Sequence, residues 1–177
     1  MSPAPTGVEP LTERALDPGL RLQHALDVAF RLLSRRDRTV LEVRRGLEAK
    51  RVEPAVIERA LTELADHGYL DDARFAQRFA EDRRLLDEWG TDRIERRLAA
   101  LGVPAELVRD AVAARDAGEE LDAAVVLLRR RFPQLGDEPR QQQRALGVLV
   151  RKGYDAELAW DAIRATIRAA NDWPARA

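Results

Sequence analysis

Histidine and aspartate residues lie close together at two places in the sequence, where they could bind a metal or transfer protons. His24 precedes Asp27 by three residues, and His67 lies between Asp66 and the pair Asp71–Asp72. A zinc site needs three or four converging ligands and usually includes cysteine or several histidines. Because the 177-residue chain has two histidines and no cysteine, we predict exposed histidines near helix ends, with no bound metal or cofactor.

Asp71 and Asp72 could also form a carboxylate pair for acid–base catalysis or magnesium binding. Their place at the start of a predicted helix favours a structural role, since aspartates there accept backbone hydrogen bonds and complement the helix dipole. Ser34 has no histidine near it in sequence to activate it as a nucleophile. The sequence also lacks a phosphate-binding glycine loop of the GxxxxGK[ST] or GxGxxG type. We therefore predict that the protein is not an enzyme.

Arginine and lysine concentrate in two segments of a chain whose formal net charge is only −1 although 34% of its residues are charged. For a single helix, such a cluster is usually a solvated face with internal ion pairs, such as Glu42 with Arg45. Two clusters at matching places in a sequence repeat favour binding to phosphates or to an acidic protein surface. The first predicted binding segment contains Arg35, Arg36, Arg38, Arg44, Arg45, Lys50 and Arg51. The second contains Arg129, Arg130, Arg131, Arg144, Arg151 and Lys152, with Arg140 between them.

The clusters lie on elements that repeat three times, every 51 residues and without a gap. Aligned apolar triplets include Val43, Ile94 and Ala145; Leu47, Leu98 and Leu149; Val52, Val103 and Tyr154; and Leu61, Val112 and Ile163. This period is typical of a modular array whose units stack on their neighbours. Apolar residues three and four apart predict helices throughout, and no alternating β-branched run predicts a strand.

Capping residues predict where the helices begin and end. In the first repeat we expect helices over residues 20–35, 39–50 and 54–68, with a capping box between Thr39 and Glu42 and a left-handed cap at Gly68. Helices of the second repeat are expected to begin at Asp71 or Asp72, Thr91 and Pro104, and those of the third at Leu121, at Asp137 or nearby, and at Asp155.

The predicted fold is all-α, with three tandem three-helix repeats in an elongated, curved array. The repeats span residues 20–68, 69–117 and 118–170, between a disordered N-terminal tail (1–19) and a C-terminal tail (171–177). No apolar run approaches the roughly 20 residues that cross a bilayer, and the N-terminus does not resemble a secretory signal. We expect a cytoplasmic monomer without a membrane partner.

Several segments resemble the RecX family. Residues 68–76, GYLDDARFA, are similar to its GYLDD-x-RFA segment, and residues 32–43 are similar to its LLS-x-R-x-R-[ST]-x-x-E-[LV] run. Residues 90–103 and 149–154 resemble its second and third repeats. The resemblance covers residues 20–170. It implies a non-enzymatic regulator that binds the filament of RecA recombinase on single-stranded DNA and inhibits its ATPase, strand exchange and coprotease activities. Such a protein regulates DNA repair and the SOS response and can also contact single- or double-stranded DNA.

The signature residues of this resemblance are Gly68, Tyr69, Leu70, Asp71, Asp72, Arg74 and Phe75. We interpret them as structural, with Arg74 spaced to pair with Asp71 and Phe75 available for packing. One turn departs from the family pattern, because Lys50-Arg51-Val52 replaces a Lys-Gly-Phe-like sequence. A left-handed residue other than glycine costs about 1 kcal/mol, so we expect a different turn there.

Two other functions remain open besides the regulation of RecA. One repeat could act as a helix-turn-helix DNA-binding unit, although its candidate recognition helix from Pro54 is acidic. The array could instead be a scaffold that binds a peptide or a helical protein.

The tryptophans bear on each of these functions. Trp89 is expected to be exposed and Trp160 to pack inside, and Trp173 could stack on a base or fill a partner's pocket.

Overall fold

The computed structural model describes residues 17–171, which contain nine α-helices and no strand. The helices are α1 (Pro18–Leu33), α2 (Val40–Ala49), α3 (Pro54–Asp66), α4 (Asp72–Asp87), α5 (Thr91–Ala100), α6 (Ala105–Ala113), α7 (Ala117–Arg131), α8 (Pro139–Lys152) and α9 (Ala156–Asn171). They follow one another in three groups of three, which confirms the predicted all-α fold of tandem three-helix repeats. Most of the two predicted tails, together with Trp173, lies outside the described residues.

The fold divides into two compact units between Asp71 and Asp72. The first unit packs α1, α2 and α3 around one core, whose largest fully buried side chains are Val43, Leu47 and Leu64. The second unit contains two cores. One is built on α4–α6 around Ile94 and Leu98, and the other on α7–α9 around Leu127, Leu128, Leu149 and Ile163. The repeat-aligned leucines 47, 98 and 149 are each 0% exposed, as their spacing predicts.

Side-chain caps at several helix starts match the sequence prediction. Thr39 and Glu42 form the predicted capping box, with the Glu42 N–H donating to Thr39 Oγ1 at 3.2 Å and the Thr39 N–H donating to Glu42 Oε2 at 3.3 Å. Asp155 caps α9 by accepting from the N–H groups of Glu157 and Leu158 at 2.8 and 3.2 Å. These bonds satisfy backbone donors that a helix start leaves without partners.

Two helices begin earlier than predicted, because a nearby residue supplies the cap. The helix α1 begins two residues earlier, since Asp17 accepts from the Gly19 N–H at 3.2 Å. The helix α7 begins four residues earlier, after a capping box between Asp116 and Glu119. The helix α8 begins after Glu138, beside the predicted Asp137; Glu138 makes no side-chain capping bond, and a proline occupies the first helical turn.

The same left-handed turn follows the second helix of every repeat. Its central residues are Arg51, Gly102 and Gly153, with φ of 59°, 81° and 92°. In each turn the N–H of the following residue donates to the carbonyl five residues before it, at 3.2, 3.1 and 3.1 Å. The expectation of a different turn at Arg51 is therefore wrong, because this backbone bond holds arginine in the conformation that glycine adopts in the other repeats.

Within the second unit, the C-terminal end of α8 meets the N-terminal end of α5. The Gly90 N–H donates to the Lys152 carbonyl at 2.9 Å, and the Asp92 N–H donates to the Gly153 carbonyl at 3.1 Å. The helix α5 has no side-chain cap. A helix leaves its first N–H groups and its last C=O groups without internal partners. Here the free carbonyls at the end of α8 accept from the free N–H groups at the start of α5. The partial charges of the two helix ends are opposite, so they also attract each other.

Side chains complete this junction between the second and third repeats. Glu120 of α7 is 6% exposed and accepts from the Thr91 N–H at 2.8 Å. Its other oxygen lies 3.8 Å from Arg115. Arg93 of α5 donates to the carbonyl of Arg151 at 2.9 Å. The start of α5 is thus hydrogen-bonded to both α7 and α8.

The first prediction concerns the left-handed arginine. We expect Arg51→Gly to raise the free energy of unfolding by about 0.5–1 kcal/mol, because the relief of backbone strain exceeds the added freedom of the unfolded chain. Urea unfolding monitored by circular dichroism measures it. The control is Arg45→Gly, at an exposed position inside α2, which should lower stability by about 1 kcal/mol. A loss of stability in both variants would contradict the backbone strain at Arg51.

The second prediction compares two glycines with positive φ. A Cβ on Gly153 would stand 2.2 Å from the Cβ of Arg93, whereas a Cβ on Gly68 has nothing within 4 Å. We expect Gly68→Ala to cost about 1 kcal/mol and Gly153→Ala about 3 kcal/mol, since only the second adds a steric clash to the backbone strain. Thermal and urea unfolding of both variants measure the difference. Equal losses would mean that the junction can shift to admit a methyl group.

Candidate partner-binding surface

The structure divides the basic residues of the first repeat into two groups. Three of them bind within the unit. Arg36 makes a two-pronged ion pair with Glu42, at 2.5 and 3.1 Å. Arg38 donates to the carbonyl of Leu32 at 3.0 Å. Glu42 thus pairs with Arg36 rather than with Arg45, the partner that helix spacing predicts.

Arg44 is the third engaged cation, and it forms a two-pronged ion pair with Glu58 of α3. These contacts change the pKa values of the two carboxylates. The hydrogen bond from Arg36 lowers the pKa of Glu42, and the hydrogen bond from Arg44 lowers the pKa of Glu58. Both carboxylates therefore remain ionised and hold their arginines at neutral pH.

The other basic residues of this segment are Arg35, Arg45, Lys50 and Arg51. All four are exposed, and within residues 17–171 their side chains make no hydrogen bond or ion pair. Among the predicted binding residues of the first repeat, these four can contact a partner without first breaking a contact within the described residues.

The second basic segment forms an open groove of about 1060 Å³ between the end of α7 and one face of α8. In the described part of the chain, no acidic side chain lines it. Its lining consists of Arg130, Arg131, Phe132, Arg140, Gln143, Arg144, Gly147, Val148 and Arg151. We refer to it as the arginine groove. Five guanidinium groups without a carboxylate in the described lining are the charge arrangement that complements an anion with several negative charges.

Helix geometry accounts for the row of arginines on α8. Arg140, Arg144 and Arg151 are four and seven residues apart, which places them on one face of the helix. Gly147 lies on the same face, and a Cβ there would stand 3.1 Å from Nη1 of Arg151. The glycine therefore leaves room for the Arg151 guanidinium to lie along the helix.

The last carbonyl of α4 and the carboxylate of the following residue, Glu88, contact cations at one end of the arginine groove. Glu88 pairs with Arg130 at 2.5 Å and lies 3.8 Å from Lys152. Lys152 also donates to the carbonyl of Asp87 at 2.6 Å. Two predicted binding residues are thus engaged by the second repeat, while Arg129, Arg131, Arg144 and Arg151 are exposed.

The signature segment has several structural contacts. Gly68 has φ of 72° and ends α3 as predicted. Leu70 is 4% exposed and belongs to the first core. Tyr69 is exposed and meets Phe30 edge to face at 5.0 Å, and Phe75 stacks on Phe79 at 6.0 Å. These contacts support the structural interpretation of the aromatic and apolar members. The pairing of Arg74 with Asp71 stays a prediction.

The candidate chemical residues do not converge. Over residues 17–171, no group of three or more His, Asp or Glu residues is arranged to hold a metal ion. His24 is exposed, and His67 is exposed with its Nδ1 2.7 Å from the carbonyl of Glu63. Ser34 donates to the carbonyl of Arg31 at 3.2 Å. None of the described helices is both long and apolar enough to span a membrane.

Trp89 is less exposed than the sequence suggested. It is half-buried, with the Arg93 guanidinium 4.2 Å from its ring centre, Arg83 at 5.7 Å and Phe79 at 6.3 Å. These cation–π and edge contacts fix the indole beside the start of α5. Trp160 packs against the third core, as predicted.

Three contributors to this surface were missed in the sequence. Arg140 was recognised in the basic segment but not selected, although its four-residue spacing from Arg144 was a usable signal. Glu88 and Arg93 gave no signal, because they contact groups 42 and 58 residues away, Arg130 and the Arg151 carbonyl. The fold and this surface define a helical-repeat protein with a basic groove.

Comparison with known proteins identifies the family. Models of the first, second and third three-helix domains of RecX match residues 25–64, 71–112 and 118–163. "Regulatory protein RecX" of Trichlorobacter lovleyi is 37% identical over 135 residues, covering 73% of this chain and 87% of the relative. "Regulatory protein RecX" of Deinococcus radiodurans is 32% identical over 164 residues, covering 92% and 78%. The chain belongs to the RecX family.

A solved structure agrees at the level of the fold. The crystal structure of RecX from Lactobacillus salivarius matches with a TM-score of 0.74 and 20% sequence identity, over 84% of this chain and 97% of that chain. The tandem three-helix architecture is therefore shared at low sequence identity.

The third prediction isolates the Arg36–Glu42 ion pair. Its bonds lower the pKa of Glu42 below the ordinary value of 4.5, so the pair stabilises the fold above pH 4.5 and this contribution is lost as the pH falls through the lowered pKa. We expect Glu42→Gln, which can keep the capping box, to lose up to about 1 kcal/mol at neutral pH and less at about pH 3. Urea unfolding against pH measures it, with the exposed Glu48→Gln as control. A loss that is independent of pH would contradict the ion pair.

Proposed function

We propose that this protein regulates the RecA recombinase by binding its filament on single-stranded DNA. In this role it inhibits ATP hydrolysis, strand exchange and coprotease activity, and thereby regulates DNA repair and the SOS response. It acts in the cytoplasm as a monomer, without catalysis and without a cofactor. Membership of the RecX family, whose relatives are named regulatory proteins, supports a regulatory role.

The observation that carries the proposal is the arginine groove of the third repeat. A groove lined by five arginines and no acidic residue complements a chain of phosphates or an acidic protein surface. The overall charge of −1 gives no general attraction to nucleic acid, so attraction depends on this local surface. A filament of protein on DNA presents both kinds of anionic group along its length.

Exposed cations of the first unit supply a second contact surface. Arg35, Arg45, Lys50 and Arg51 are exposed and make no internal side-chain bond in the described residues. Binding at two basic surfaces of one chain multiplies their separate affinities when both engage the same filament. Inhibition would then be steric and electrostatic: the bound protein blocks entry of a second duplex or holds RecA protomers in an arrangement that hydrolyses ATP slowly.

The fourth prediction tests the arginine groove. We expect Arg131→Glu combined with Arg144→Glu to raise the concentration needed for half-inhibition of RecA's DNA-dependent ATPase at least about tenfold, because each reversal removes an attraction and adds a repulsion. The melting temperature should change little, since both residues are exposed. The matched control reverses Arg59 and Arg109, which are exposed on α3 and α6.

The result separates the competing functions. Wild-type protein that neither inhibits the ATPase nor sediments with filaments rules out the proposed function. Equal inhibition by both double variants rules out the arginine groove as the contact. Selection of one preferred duplex sequence in a gel-shift experiment would favour the helix-turn-helix alternative instead.

A further inference from the structure

Glu88 has an unusual backbone in the loop that joins α4 to α5. Its φ is 54°, and among the described residues only Arg51 shares a positive φ without being glycine. This conformation is unfavourable for a residue with a Cβ, and the Glu88 side chain links the loop to Arg130. A residue held in such a conformation often has a functional role, so its contacts matter.

The Glu88 carboxylate is directed at cations of the third repeat. Oε1 lies 2.5 Å from Nη2 of Arg130, and Oε2 lies 3.8 Å from Nζ of Lys152. Arg130 lines the arginine groove, and Lys152 is anchored at 2.6 Å by the carbonyl of Asp87. A carboxylate that is not part of the groove lining therefore pairs with one of the groove arginines and neutralises its charge.

This contact can open without unfolding the protein. The Arg130 side chain is 67% exposed, whereas that of Glu88 is 26% exposed, and an ion pair with one partner open to solvent contributes only modest stability. A carboxylate and a phosphate offer an arginine the same two-pronged acceptor geometry. Arg130 can therefore leave Glu88 for a phosphate, and the two acceptors compete for it.

We propose that Glu88 is a specificity-determining residue that withholds Arg130 from the ligand of the arginine groove. The ligand is a nucleic acid strand, and the inference rests on the proposed binding of phosphates by this groove. Arg131, Arg140, Arg144 and Arg151 are exposed, and no carboxylate binds their side chains in the described residues. Glu88 thus limits the number of phosphates that the groove engages and keeps its affinity for bare nucleic acid low.

The fifth prediction is the consequence of removing this carboxylate. We expect Glu88→Gln to tighten binding of a fluorescent 20-residue oligo(dT) about three- to tenfold at low salt. The logarithm of the affinity should also fall more steeply with the logarithm of salt concentration, by roughly 0.7, because one more cation contacts the strand. Fluorescence anisotropy across a salt series measures both quantities.

Three further variants make the test specific. Glu88→Gly removes the carboxylate and also the backbone strain, so it should show the same gain without loss of stability. In an Arg130→Gln background, Glu88→Gln should bring less than about a twofold gain in affinity, since the cation for which Glu88 and a phosphate compete is absent. Glu106→Gln changes the net charge equally at an exposed position on α6 and should leave the salt dependence unchanged.

Each outcome decides the inference. An unchanged affinity and salt slope in both Glu88 variants overturns it, as does an equal gain from Glu106→Gln or the absence of oligo(dT) binding by every variant. Tighter binding of polyglutamate rather than oligo(dT) shows that Glu88 acts on an acidic protein ligand, and overturns the assignment to nucleic acid. RecA inhibition is scored separately: oligo(dT) results as predicted without inhibition would support Glu88 and refute the proposed function.

Discussion

The end-to-end contact between α8 and α5 is the interaction on which the second unit depends. The first N–H groups of α5 have no side-chain cap of their own and bond to carbonyls at the end of α8 and to the buried Glu120. Backbone groups can meet at these distances only where no Cβ intervenes, which requires glycine at positions 90 and 153. The same contact places the α4–α5 loop beside the arginine groove. The packing of this unit and the position of its candidate binding surface therefore both depend on these two glycines.

Arginine side chains of this protein carry the same charge but differ in whether they can contact a partner. Arg36, Arg38 and Arg44 are held by carboxylates or a carbonyl of their own unit. Such arginines restrain turns and helix pairs, and a partner would have to displace an internal acceptor to reach them. Arg144 and Arg45 are exposed without such an acceptor in the described residues. A count of cations along the sequence therefore overstates the surface that can bind, and the acceptor of each guanidinium determines its role.

Local signals in the sequence predicted most of the fold. The capping box at Thr39 and the buried leucines 47, 98 and 149 depend on residues within one helix or on the period of the repeat. The binding surface was less predictable, because its contacts join distant residues. Arg36 reaches Glu42 across a turn, and Arg130 reaches Glu88 in another repeat. Trp89 likewise packs beneath Arg93, a contact that no helix periodicity encodes.

The left-handed turn shows how copies of one unit can diverge. At Gly153 a side chain would collide with the neighbouring repeat, so the position is fixed by two requirements, backbone conformation and space. At Arg51 the same backbone carries a long exposed side chain, so only the conformational requirement applies, at modest energetic cost. A repeat whose turn is exposed can thus carry a charged side chain at a position where another repeat must keep glycine.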